Sequence, residues 1–190
     1  MKIYLVRHGE TEWNKKGLLQ GREDIPLNDH GREQAKVLAE FFKDKPIDLI
    51  ISSPLVRAHE TAKIISNTAG AEIVTDDKLI EKDYGKATGM GKAERDRLFP
   101  RRKYDGMEKW SDLIGRTSSV LEAFSKNNDQ KNLLFVCHSS VIKSMIQYVT
   151  GAPEEDKDIY GVTMSSIGVT EIEYNENTGY DLKYANREVI

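Results

Sequence analysis

The sequence predicts an α/β fold built on a mostly parallel sheet, with antiparallel strands added at the C-terminal edge. Three observations carry this. Short apolar runs at Ile3–Val6, Leu49–Ile51 and Leu133–Val136 have the continuous character of strands buried on both faces. Segments with helical spacing separate these runs, which is the βαβ pattern. Near the end, Val169–Tyr174 and Tyr180–Tyr184 flank Asn175-Glu176-Asn177-Thr178-Gly179, whose turn chemistry predicts a hairpin.

Taken in order, the first strand runs into Arg7-His8-Gly9. Ala35, Leu38, Ala39 and Phe42 then recur at i, i+3, i+4 and i+7 and predict a covering helix, with Asn28 after Pro26-Leu27 as its N-cap. After the second strand, Ala58, Ala62 and Ile65 stripe a helix closed by Gly70. Glu72-Ile73-Val74-Thr75 reads as another strand, and Leu113, Thr117, Leu121 and Phe124 stripe a longer helix ahead of the Leu133 run. Val141, Ile142, Met145, Ile146 and Val149 make a further helix, stopped by Gly151 and Pro153.

The chain has 190 residues, 38% of them hydrophobic, enough for one well-buried core and short for two domains, so one domain is expected over 1–190. A formal charge of -3 gives no overall pull toward nucleic acid or acidic membranes. The expected partner is a small molecule, and any anion must be recognised locally. The sole cysteine, Cys137, cannot form an internal disulfide and reads as a small buried hydrophobe. No apolar run approaches the roughly 20 residues that span a bilayer, and Met1–Val6 is too short for the apolar region of a signal peptide. The expectation is a soluble cytoplasmic protein.

Four groups of polar residues fall just past the C-terminal ends of expected strands: Arg7 and His8, Arg57 after Ser52-Ser53-Pro54, Glu81, and His138. Open α/β sheets bind ligands at that edge, so these groups are expected to share one rim. Arginine forks match phosphate oxygens, two imidazoles supply a nucleophile and a second donor, and a carboxyl group can move a proton to or from a reacting oxygen. Glu81 lies beside Lys82 and Asp83 and has the alternative of a solvated loop carboxylate, with Asp83 and Glu108 as other candidates for the acid. His30 and His59 fall on expected helices and read as bystanders. The four histidines include no i, i+4 pair and stand beside no cysteine cluster, a pattern that does not suggest zinc.

The blocks Arg7-His8-Gly9-Glu10-Thr11, Trp13-Asn14, Gln20-Gly21, Ser52-Ser53-Pro54-Leu55-Val56-Arg57-Ala58, Glu60-Thr61-Ala62 and Val136-Cys137-His138 resemble the histidine phosphatase superfamily, the phosphoglycerate-mutase-like clan. The resemblance implies a three-layer α/β/α sandwich and catalysis through a phosphohistidine on His8, with no metal or other cofactor. It assigns Arg7, Arg57 and His138 to the phosphoryl oxygens and Glu81 to proton transfer. It places Asn14, Gln20, Gly21 and Ser139 against the phosphate or the substrate body, and makes residues 82–110 a cap-like insertion. Lys92, Arg95, Arg97, Arg101, Arg102 and Lys103 fall within it as candidate recognition charges or as a solvated helix face.

The chain departs from the family pattern at His138-Ser139-Ser140, where two glycines usually follow the histidine, at Leu18, where relatives often carry arginine, and at Lys82-Asp83-Tyr84-Gly85-Lys86-Ala87-Thr88-Gly89, which lacks the usual tryptophan and glutamate. A short cap and Gln20-Gly21 favour a phosphatase acting on a small acidic phosphomonoester. Mutase-type phosphoryl transfer and an idle phosphate- or partner-binding module stand as alternatives.

Overall fold

The expected strands meet in one six-stranded sheet. In the computed structural model, which describes residues 1–100, 103–128, 131–153 and 164–189, β1 (Lys2–Arg7), β2 (Leu49–Ser52), β3 (Glu72–Thr75), β4 (Leu133–Cys137), β5 (Gly168–Asn175) and β6 (Gly179–Glu188) lie in the order β3-β2-β4-β1-β5-β6. The first four in that order are parallel, while β5 runs antiparallel to β1 and β6 antiparallel to β5. Both the parallel body and the C-terminal hairpin are therefore as expected.

Alternation along each strand sends side chains to two cores. On one face Tyr4, Val6, Ile50, Leu134 and Val136 pack with Leu38, Phe42, Ala58, Ala62 and Ile65, which belong to α2 (Asp29–Phe42) and α3 (Val56–Ala69). On the other, Ile3, Leu5, Ile51, Leu133 and Phe135 pack with Leu113, Leu121, Val141 and Met145 from α5 (Trp110–Asn127) and α6 (Ser139–Thr150). Helices on both faces of the sheet make the three layers. The Asn28 side chain accepts from the Gly31 amide as the N-cap of α2, and Gly70 closes α3 in the left-handed conformation.

Two short helices had no apolar stripe to announce them. The first, α1 (Glu12–Lys15), is held by a reciprocal cap between Thr11 and Asn14, and the second, α4 (Lys92–Leu98), has no buried residue. The Trp13 ring lies 3.5 Å from the point where a Gly89 side chain would begin. Arg101 and Arg102 lie outside the described residues.

Candidate active site

The parallel strands β1, β2 and β4 all end at the same rim, and the backbone carries their register one residue further. The His8 amide donates to the Cys137 carbonyl at 3.0 Å, and the Ser53 amide to the Val136 carbonyl at 3.0 Å. His8, Ser53 and His138 are thus fixed by the sheet itself.

The His8 ring is buried, and its Nδ1 lies 2.7 Å from the carbonyl of Gly9. A neutral imidazole must carry its proton on that nitrogen, which leaves the Nε2 lone pair facing outward. Arg57 donates to Nε2 from its own Nε at 3.2 Å. The two terminal nitrogens of Arg57 each give one N–H to the neighbouring loop, Nη1 to Glu23 O at 2.6 Å and Nη2 to Gly21 O at 2.8 Å, and keep a second N–H. This arginine is fully buried, and burial lowers its pKa to about 10, so it stays cationic at neutral pH. Burial, then the charges of Arg7 and Arg57, hold His8 well below the usual histidine range despite the opposing pull of the Gly9 carbonyl.

His138 stands beside His8, ring centroids 5.1 Å apart. Its Nε2 meets the Ser53 hydroxyl at 2.8 Å. That hydroxyl also accepts from the Leu55 amide at 3.3 Å; with its own proton turned to Nε2, the imidazole proton sits on Nδ1. His138 Nδ1, a donor in that tautomer, and Arg7 Nε are buried nitrogens with no hydrogen-bond partner among the described residues. Unsatisfied buried donors are costly, and two of them beside a pair of cationic forks make a site for an anion. Arg7 is anchored through Nη1 to the Met164 carbonyl at 2.9 Å.

Glu81 is buried on the facing wall, its Oε1 accepting from the Lys82 amide at 2.8 Å and its Oε2 from the Ser140 amide at 3.4 Å. Burial raises its pKa, against the pull of those amides and of Arg57 and Arg7. A carboxyl group whose pKa is raised keeps its proton to higher pH than usual and is the better placed to donate it. The other two candidates are engaged elsewhere. Glu108 is gripped by both prongs of Arg116, at 2.7 and 3.0 Å, and although burial opposes its charge this partner keeps it below the usual carboxylate range. Asp83 accepts from the Gly85 amide and faces Arg22.

Arg7, His8, Asn14, Gln20, Gly21, Arg57, Glu81 and Ser139 line one cleft of about 200 Å³, with Leu18, Leu19 and Tyr84. The Thr11 hydroxyl donates to the amide oxygen of Gln20 at 2.8 Å, and the Thr11 backbone amide to that of Asn14 at 3.1 Å, which leaves both NH2 groups for other partners. His30 is exposed on α2 and His59 lies on α3, apart from the cleft. A larger open groove of about 720 Å³, bounded by Lys2, Asn132 and Glu171, sits at the opposite ends of the strands and holds none of these groups.

Sequence reasoning gave no role to Thr11, Ser53 or Tyr84. Thr11-Glu12-Trp13-Asn14 carries a readable capping signal. The Tyr84 hydroxyl, 2.7 Å from that of Ser140, pairs residues 56 apart and leaves no local signal.

A family model for the histidine phosphatase superfamily (branch 1) matches residues 3–187. The chain is 36% identical to an uncharacterized phosphatase, PhoE, of Bacillus subtilis, over 92% of this chain and 89% of that one. It is 30% identical to phosphoserine phosphatase 1 of Hydrogenobacter thermophilus, over 93% and 89%. Among solved structures, the fold is similar to that of a phosphoserine phosphatase from Entamoeba histolytica in complex with 3-phosphoglyceric acid, with 27% identity, a TM-score of 0.85 and coverage of 98% and 96%. A match across nearly all of the described sheet and cleft, joined to relatives at this identity, is decisive: the chain belongs to the histidine phosphatase superfamily, branch 1.

Proposed function

We propose that the protein is a phosphatase that hydrolyses a small acidic phosphomonoester through a phosphohistidine on His8. The observation that carries this reading is the orientation of His8: Nδ1 is tied to the Gly9 carbonyl, and Nε2 is turned toward Arg57 in a cleft that also holds Glu81. The superfamily and its phosphatase-named relatives support the reaction class.

In the first step Nε2 attacks phosphorus in line, the P–O ester bond breaks, and Glu81 gives its proton to the departing oxygen. In the second step Glu81, now a carboxylate, takes a proton from water, whose oxygen displaces His8 and releases inorganic phosphate. Arg7, Arg57 and the Nδ1–H of His138 stabilise the charge spread over the three equatorial oxygens, where phosphoryl transfer needs it. Asn14, Gln20, Gly21 and Ser139 contact the phosphate or the adjoining part of the substrate. Residues 82–110 cap the cleft within one domain, and the chain works in the cytoplasm on a small-molecule ester.

Incubation with a 32P-labelled phosphomonoester followed by a rapid quench tests this. An acid-labile, base-stable phosphoenzyme should form in the native protein and not in His8→Ala, with turnover in that variant down by at least about 10³-fold. Full activity in His8→Ala removes the nucleophile assignment. Turnover of phosphoglycerate isomers far above their hydrolysis would place the protein with the mutases instead.

A further inference from the structure

We infer that Arg116, gripped by Glu108, is a positioning residue that holds the Glu81 carboxyl at the reacting oxygen. The inference rests on reading Glu81 as the general acid. Arg116 lies on α5, outside the lining of the cleft, yet its guanidinium reaches back to the strand-following segment at two places. Nη1 donates to the Lys78 carbonyl, and Nη2 to the Glu81 carbonyl at 3.3 Å. The segment that delivers Glu81 is therefore stapled at both ends, with Leu79 fully buried in the core between them.

The staple is itself held. Glu108 takes Arg116 Nε and Nη2 on its two oxygens, and its Oε2 also accepts from the Asp83 amide at 3.1 Å. Glu108 N in turn donates to Asp83 O at 2.9 Å, so the chain on the far side of Glu81 is fixed by the same residue. The Arg116 and Glu108 side chains are 15% and 9% exposed, so solvent screens the pair little. Arg22 approaches Glu108 at 3.5 Å from the loop whose Gly21 and Glu23 carbonyls hold Arg57. One run of charges, Arg22-Glu108-Arg116, thus ties the phosphate side of the cleft to the acid side.

Lysine cannot reproduce the staple, because it offers one ammonium where the guanidinium serves two carbonyls and a bidentate carboxylate. A catalytic group displaced by about 1 Å can lose on the order of 10²-fold in rate. The loss has a chemical signature: an acid matters for an alkoxide leaving group and little for a good one such as p-nitrophenolate.

The test measures kcat/KM of Arg116→Lys and Glu108→Gln on glycerol 2-phosphate and on p-nitrophenyl phosphate, beside Glu81→Gln. Arg116→Lys should lose about 10²-fold on the alkyl ester and less than about tenfold on the aryl ester, Glu108→Gln should show the same asymmetry to a smaller degree, and neither should add to Glu81→Gln. Equal losses on both esters, or losses that multiply with Glu81→Gln, overturn the positioning role. The asymmetry in Glu81→Gln but not in Arg116→Lys or Glu108→Gln overturns this inference alone. Its absence from Glu81→Gln as well removes the acid assignment and this inference together. Glu108→Gln serves where Arg116→Lys does not fold.

Discussion

Arg57 donates to the Nε2 lone pair of His8 across 3.2 Å, so the atom suited to attack phosphorus lies against a permanent cation. That contact does two things at once. It disfavours the protonated imidazole, which could not act as a nucleophile, and it brings a phosphoryl group within reach of both the attacking nitrogen and a charge that can hold its oxygens.

Arg57→Lys is expected to lower kcat/KM by about 10²- to 10³-fold, the scale of one transition-state donor. A lysine cannot serve His8, Gly21 O and Glu23 O together, so the loop at 21–23 should loosen as well. Steady-state kinetics with thermal melting checks both parts, and a variant with native kcat/KM would contradict the placement.

The pH profile of kcat/KM for an alkyl phosphomonoester follows from two shifted groups. His8 is pushed well below its usual range, chiefly by burial, and stays neutral, so no acid limb belongs near about 6.5 once the substrate's own ionisation is corrected for. Glu81 is raised by burial, so activity should fall as pH climbs through its elevated value and the acid loses its proton. Glu81→Gln should erase that basic limb. Its persistence would assign the limb to another group.

The same shift makes a stability prediction. A carboxyl whose folded pKa is raised binds its proton more tightly in the native state than in the unfolded chain. Its contribution is full below the unfolded value and is lost as pH rises through the folded one. Glu81→Gln should therefore have a melting temperature close to the native protein's at pH 4 and a higher one at pH 8. A difference that does not vary with pH would show that burial of the charge is not its cause.

Gly31→Ala probes the close backbone contact behind His8. A Cβ at Gly31 would lie 2.1 Å from the Glu10 carbonyl oxygen, and one at Gly9 would lie 2.2 Å from the Gly31 carbonyl oxygen. Neither neighbour can swing aside, since both are main chain. Forcing this contact is expected to cost about 1–3 kcal/mol by denaturant unfolding, together with a fall in kcat as Gly9 O moves off His8 Nδ1. An unchanged unfolding midpoint would mean that the loop yields freely.

Much of this was readable before any coordinates. The strands at Ile3, Leu49 and Leu133 announced themselves because they are buried on both faces, and the helices because one stripe of each is. Arg7, His8, Arg57 and His138 could be grouped because parallel strands deliver their C-terminal ends to one rim. By contrast α4, with no buried residue, left no apolar period to read, and Thr11, although its cap was legible, gave no hint that it would orient Asn14 and Gln20.

By itself, then, the sequence determined the sheet, its covering layers and the residue types at its rim, because hydrophobic period and strand-end position are local properties of a chain. Tertiary structure decided which carboxyl holds its proton more tightly than usual and which holds it less. Glu81 and Glu108 look alike as letters, but Glu108 faces Arg116, while Glu81 is turned into the cleft and desolvated. Proton affinity depends on the charges and water within a few ångströms, and residues distant along the chain supply both.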